Sequence, residues 1–291
     1  EMKRHGYHKG FALGTVAGSS CLGMLIPPSV LMIVWGILTE NSIGKIFLAG
    51  VLPGLLLTVL FCAYVFAMAL LKPEVVGGGS ESKVEAIEEV PRLQFYTSLM
   101  GIVIVIVAVL GGIWFGLFSP TEGAGVGALL GLVLGLIKGM RYKEIIDSIL
   151  SVGRTSGPIL LLLVTAALYS NTLAMTGLAN AIESLFLESG MSPWMIIFVM
   201  VFIWFLLGMI IDSISIMLLT AAIFAPIAVK LGYDPLAFAI IGIIAIEAGL
   251  LTPPFGLLVY TVKSAILSIE PDMNVMTIFK SAAPYWMIML V

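Results

Sequence analysis

Apolar residues run along this chain in long blocks, separated by short polar turns. The blocks cover residues 9–38, 44–71, 93–117, 124–138, 155–175, 192–229, 235–264 and 273–291. A hydrocarbon core about 30 Å thick takes about 20 apolar residues per helical crossing. Blocks of this length predict membrane helices. A transmembrane barrel would alternate polar and apolar residues in segments of about ten, and no such alternation occurs. Several blocks are broken inside: 9–38 at Ile26-Pro27-Pro28-Ser29, 192–229 at Asp212-Ser213-Ile214-Ser215, and 235–264 at Thr252-Pro253-Pro254. Segments 141–152 and 177–188 are amphipathic, and the first is expected to lie at the membrane interface, apart from the crossing at 155–175. Residues 72–92 form the one extended polar stretch and read as an exposed loop. Gly123, Gly127, Gly131 and Gly135 recur every four residues, which predicts a face of close helix contact.

Composition sharpens this into a class. Of 291 residues, 60% are hydrophobic and 11% charged, with a net charge of −3. A soluble domain carries roughly a quarter charged residues. The expected fold is all-α and polytopic, and no basic domain exists to bind nucleic acid. Cys21 and Cys62 both lie in apolar blocks and read as packing residues. The chain opens on Glu1, without a start methionine or signal peptide, as a fragment would.

An internal repeat carries more information. At an offset of 226, Gly6-Tyr7 falls on Gly232-Tyr233, and Gly23, Leu25, Pro27, Pro28 and Leu31 fall on Gly249, Leu251, Pro253, Pro254 and Leu257. Two apolar helices paired by chance would match leucines, not this spacing of glycines and prolines. Paired Pro-interrupted segments point to the binding site of a transporter. Proline removes a backbone donor and opens the helix, and freed carbonyls persist at membrane depth only inside protein or beside water. A hard cation such as Na⁺ can use them.

Charge then sets orientation. With the first Gly-Tyr loop cytoplasmic, twelve of the Lys and Arg residues lie inside, and Lys45 and Lys230 lie outside, in keeping with the positive-inside rule. That arrangement needs 192–229 to be a re-entrant hairpin, which makes the two repeats inverted. The corresponding division is 1–38 for the end of the first repeat, 39–117 for scaffold helices, 118–264 for the second repeat and 265–291 for a last membrane helix.

The candidate cation-binding residues are Gly23, Ile26 and Pro27 at the first break, Asp212, Ser213 and Ser215 at the hairpin, and Gly249, Thr252 and Pro253 at the second break. Ser213 and Ser215 are also candidate substrate contacts. An ionisable residue at membrane depth is a functional position by default, but Asp and Ser are also preferred helix N-caps; Asp212 fits either role, and both together in a hairpin tip. Glu247 fits a proton relay or a buried acid hydrogen-bonded to the hairpin. Glu122 reads as a first-turn acid favoured by the helix dipole, and His5 and His8 as loop residues. His-Glu-x-x-His, Gly-x-Ser-x-Gly and Gly-Lys-Ser/Thr signatures are absent from the sequence, so no enzyme is expected, and transport would run on an ion gradient unless another subunit hydrolyses ATP.

Gly23-Met24-Leu25-Ile26-Pro27-Pro28-Ser29, Asp212-Ser213-Ile214-Ser215 and Leu250-Leu251-Thr252-Pro253-Pro254-Phe255-Gly256 resemble the large membrane subunit of tripartite ATP-independent periplasmic (TRAP) transporters. Ser119-Pro120-Thr121-Glu122-Gly123-Ala124 and Asn41-Ser42-Ile43-Gly44-Lys45 extend the resemblance through nearly the whole chain. It implies a Na⁺-driven importer of organic anions in the bacterial inner membrane, working by an elevator mechanism. It implies three partners besides the lipid bilayer: a small membrane subunit, a periplasmic substrate-binding protein and the organic anion. The family's first hairpin has no counterpart here, so the sequence looks like the C-terminal two-thirds of such a subunit. Alternatives are a Na⁺/dicarboxylate symporter that needs no binding protein, and a non-transporting membrane scaffold or channel.

Overall fold

The computed structural model describes residues 2, 5–77, 92–267 and 270–291. Most of the polar loop at 72–92 therefore lies outside the described residues, as do Lys3, Arg4 and Lys83 of the charge count. Fourteen α-helices appear among the described residues: α1 (Lys9–Ser20), α2 (Leu22–Leu25), α3 (Val30–Thr39), α4 (Ile43–Leu71), α5 (Arg92–Ile106), α6 (Gly112–Trp114), α7 (Pro120–Ile137), α8 (Tyr142–Thr176), α9 (Leu178–Leu187), α10 (Pro193–Gly208), α11 (Ser213–Lys230), α12 (Pro235–Leu250), α13 (Leu257–Ala265) and α14 (Val275–Met289). Among the described residues, six stretches are long and apolar enough to cross a membrane. The described residues contain no strand; Tyr7 and Val76 form an isolated bridge.

The chain forms two compact units, Glu1–Glu85 with Ala167–Val291, and Ala86–Ala166. In the larger unit, α10 and α11 form a hairpin against α12. Trp204 of α10 is fully buried. Its ring lies 4.9 Å from that of Phe238 and 6.0 Å from that of Trp35, and its indole N–H donates to Thr220 Oγ1 at 2.7 Å. Burial of such rings dominates core energetics, and their indole N–H groups usually find partners. A second seam joins α1 to α14. A side chain at Gly14 would run into the Ser281 backbone, and one at Gly18 into the Tyr285 ring. The Tyr285 hydroxyl donates to Thr15 Oγ1 at 2.9 Å across this seam.

In the smaller unit, α5 passes through a π-helical turn at Val107–Gly111 into α6, and α7 runs back along it. Ser119 and Glu122 form a capping box at the start of α7, so the first-turn acid serves as a cap as well as a dipole partner.

Three expectations need correction. The amphipathic segment at 141–152 and the crossing at 155–175 are one helix, α8, of 35 residues. Pro158 lies inside it, and Gly153, between the two periodicities, continues the helix. Cys62 is exposed on α4, whereas Cys21 is buried. The glycine stripe is a contact face over its first half only. A side chain at Gly123 would meet Ile113 and one at Gly127 would meet Val109, but nothing lies within 4 Å at Gly131.

Candidate functional site

The two repeat windows fold alike. Helix α1 begins at Lys9 and α12 begins at Pro235, 226 positions later. The first window breaks after Leu25 and resumes at Val30; the second breaks after Leu250 and resumes at Leu257. Both Pro–Pro bonds are cis. The local cause is visible in the hydrogen bonds. Pro253 cannot donate to the Gly249 carbonyl four residues back, and the Thr252 N–H takes that place at 2.8 Å. Pro28 cannot donate to Met24, and the Ser29 hydroxyl donates there instead. Ser29 is also the N-cap of α3, accepting from the Met32 N–H. An N-cap residue after Pro-Pro and before an apolar run is a helix-start signature, so Ser29 was identifiable among the motif residues and belongs with them.

The second break is built against the hairpin. A side chain at Gly249 would strike the Phe205 carbonyl and the Gly208 backbone, and one at Gly208 would strike the Ile246 carbonyl. The Gly256 N–H donates to the Met209 carbonyl at 3.3 Å, tying the end of the break to the hairpin turn. Gly256 adopts a φ of +48°, which glycine tolerates and a bulkier residue resists. The result places the C-terminus of α12 beside the N-terminus of α11. Helix ends carry partial charges of opposite sign, negative at the C-terminus and positive at the N-terminus.

The candidate residues divide accordingly. Ser213 and Thr252 are buried, and the Thr252 hydroxyl donates to the Ala248 carbonyl at 2.8 Å. Asp212 is exposed and caps α11, its Oδ1 accepting from the Ser215 N–H at 3.0 Å. The first-break residues stand apart. Ile26 lies against Gly54 of α4, and nothing comes within 4 Å of a side chain placed at Gly23. The breaks are linked through repeat mates: the buried Cys21 thiol donates to the Glu247 carbonyl at 3.7 Å, across a separation of 226 residues.

Glu247 is the buried acid of this region, 2% exposed. The Ser213 hydroxyl and the Cys21 thiol face its carboxyl group, while its Oε1 has no hydrogen-bond partner. The adjoining cavity, lined in part by Cys21, Leu25, Leu57 and Ile243, is too tight to admit water. Among the described residues no three His, Cys, Asp or Glu side chains come together as a metal-binding group. Oxygens at the hairpin come from carbonyls, hydroxyls and single carboxylates.

Paired helices broken by proline, one of them closed on a helical hairpin, are a pattern that points to the binding site of a transporter. The profile of the family described as "Tripartite ATP-independent periplasmic transporter, DctM component" matches residues 1–291, and the chain belongs to that family. It is thus a multi-pass protein of the bacterial inner membrane. It is 34% identical to the C4-dicarboxylate TRAP transporter large permease protein DctM of Pseudomonas aeruginosa, over 100% of this chain and 66% of that protein. It is 30% identical to the ectoine/5-hydroxyectoine permease UehC of Ruegeria pomeroyi, over 89% of this chain and 60% of that protein. Identity to the sialic acid permease SiaT of Haemophilus influenzae is 28%, over 98% of this chain and 44% of that protein. The chain therefore spans 44–66% of the length of these relatives.

Proposed function

We propose that this chain is permease machinery of a Na⁺-driven TRAP transporter importing small organic anions. A periplasmic binding protein delivers the anion, and a small membrane subunit completes the complex. The observation carrying this reading is the junction of the second break with the hairpin: Gly249 against Gly208, Gly256 bonded to Met209, and Ser213 and Thr252 buried beside them. Hard cations take oxygen ligands. The α12 C-terminus, the Thr252 hydroxyl and the hairpin oxygens supply these for Na⁺. The α11 N-terminus favours the anion. C4-dicarboxylate, sialic acid and ectoine, named for the relatives, all carry carboxylate, which supports a carboxylate-bearing substrate here. An alternating movement of the inverted repeats then carries the site across the membrane.

Uptake into proteoliposomes by the complete transporter tests this. Accumulation should require an inward Na⁺ gradient and the binding protein together. Uptake without binding protein would favour the symporter reading, and none under any gradient would favour the scaffold. Hairpin depth is tested separately by single-cysteine labelling of Ser213→Cys in a background lacking Cys21 and Cys62. Free reaction with a bulky impermeant reagent from the cytoplasm, unchanged by Na⁺ or substrate, overturns the re-entrant hairpin.

A further inference from the structure

The smaller unit holds a feature that transport chemistry does not explain. Helices α5 and α7 pair antiparallel: Ile113 meets Gly123, Val109 meets Gly127, Leu134 meets Gly101, and the Lys138 ammonium donates to the Ser98 hydroxyl. Past Gly127 the stripe is not filled, since Gly131 has no neighbour within 4 Å and Gly135 meets only Met140. The missing side chains leave a groove of about 410 Å³, walled by Ile102, Val105, Ile106, Gly131 and Leu134, with Ser98 and Lys138 at one end. That is far more than one water needs and within the range of small-ligand sites.

We propose that this groove binds one acyl chain of an anionic phospholipid, with Lys138 holding the headgroup phosphate. Its dimensions fit. From Ser98 to Ile106 the axis advances about 12 Å at 1.5 Å per residue, close to the depth of one leaflet, half of a core about 30 Å thick. Its polarity fits too. The walls are apolar and present nothing for a polar ligand, and the cation stands at the end, where a headgroup would be. An ammonium has three N–H donors; Ser98 takes one, which orients the group and leaves two for phosphate oxygens. Arg141 and Lys143 follow in the next five positions, and the nearby Glu144 carboxylate is engaged on the Arg141 backbone N–H at 2.7 Å. A basic pocket between membrane helices on the cytoplasmic side suits an anionic headgroup.

Native mass spectrometry of the protein, released from nanodiscs of equimolar phosphatidylglycerol and phosphatidylcholine, tests the site. Wild type should retain phosphatidylglycerol about five-fold over phosphatidylcholine, the effect expected of one basic residue near the headgroups. Lys138→Gln should abolish the preference and Lys138→Arg should keep it. Gly131→Phe, which fills the groove, should reduce retention of both lipids. Size-exclusion elution and helical content of each variant verify folding; should Gly131→Phe fail to fold, the exposed Lys138 pair decides. Equal retention by wild type, or an undiminished preference in Lys138→Gln, overturns the proposal. So does photo-crosslinking from position 102 in native membranes that captures a protein chain instead of lipid.

Discussion

The two Pro–Pro breaks share a sequence pattern and a helix–break–helix course, yet the first packs on α4 and the second on the hairpin, and only the second has its glycine covered. At Gly249 the backbone of α10 comes so close that no β-carbon fits; at the equivalent Gly23 nothing lies within 4 Å. The prolines alone account for the breaks, because each removes a donor from its own helix. They do not build a site. Closure comes from the hairpin, whose Gly208, Met209 and Ser213 supply the facing surface. A broken helix is thus half of this packed junction, and the hairpin is the other half.

The sharpest test of that contrast compares the two glycines. Gly249→Leu should prevent assembly, and Gly249→Ala should destabilise by about 1–3 kcal/mol through overpacking. Gly23→Ala should stay within about 0.5 kcal/mol of wild type. Thermal unfolding in detergent checks both, and equal losses at the two positions would remove the distinction between the covered and the open glycine.

Pro253→Ala with Pro254→Ala should come next in size. Proline in a helix interior costs about 3 kcal/mol, so its removal favours a continuous helix over the open break. The half-saturating Na⁺ concentration for uptake should rise at least about ten-fold, a change worth about 1.4 kcal/mol. Intact Na⁺ affinity and uptake would show that the break is not the ion site.

Asp212 separates the cap from the coupling role. Asn caps about as well as Asp, whereas Ala loses about 1 kcal/mol. Asp212→Asn should therefore keep stability and raise the Na⁺ requirement, while Asp212→Ala should lower both stability and coupling. Lost expression of Asp212→Asn, with unchanged Na⁺ dependence in what remains, would leave capping as its role. The smallest effect on transport belongs to the first break: Ser29→Ala removes an N-cap and should cost roughly 0.5–1 kcal/mol, read as a lowered melting temperature with Na⁺ dependence unaffected. A large transport defect there would make the first break an equal partner in the chemistry.

Much of this was legible in the sequence because membrane helices declare themselves by length and apolarity. The repeat was legible because Gly and Pro carry backbone information that leucine does not. Ser213 and Thr252 were readable for the same reason, as hydroxyl residues at breaks. The close approach of Gly208 to Gly249 was not, since a glycine in an apolar run looks alike whether it touches a neighbour or stands open. The same ambiguity misled at Gly131, where equal spacing suggested contact and the structure holds a groove. At α8 the change from amphipathic to apolar pattern suggested a boundary, but hydrogen bonding continues through it because a helix can leave the bilayer without ending.

The seam between α1 and α14 bears on how the protein is made. Thr15 and Tyr285 are 270 residues apart, and synthesis at about 5–20 residues per second separates them by roughly 15–50 s. Throughout that interval the glycine face of α1, shaped for Ser281 and Tyr285, has no partner from its own chain. The seam on α1 thus closes only after α14 has been made, and a ribosome stalled before α14 would leave that face unsealed.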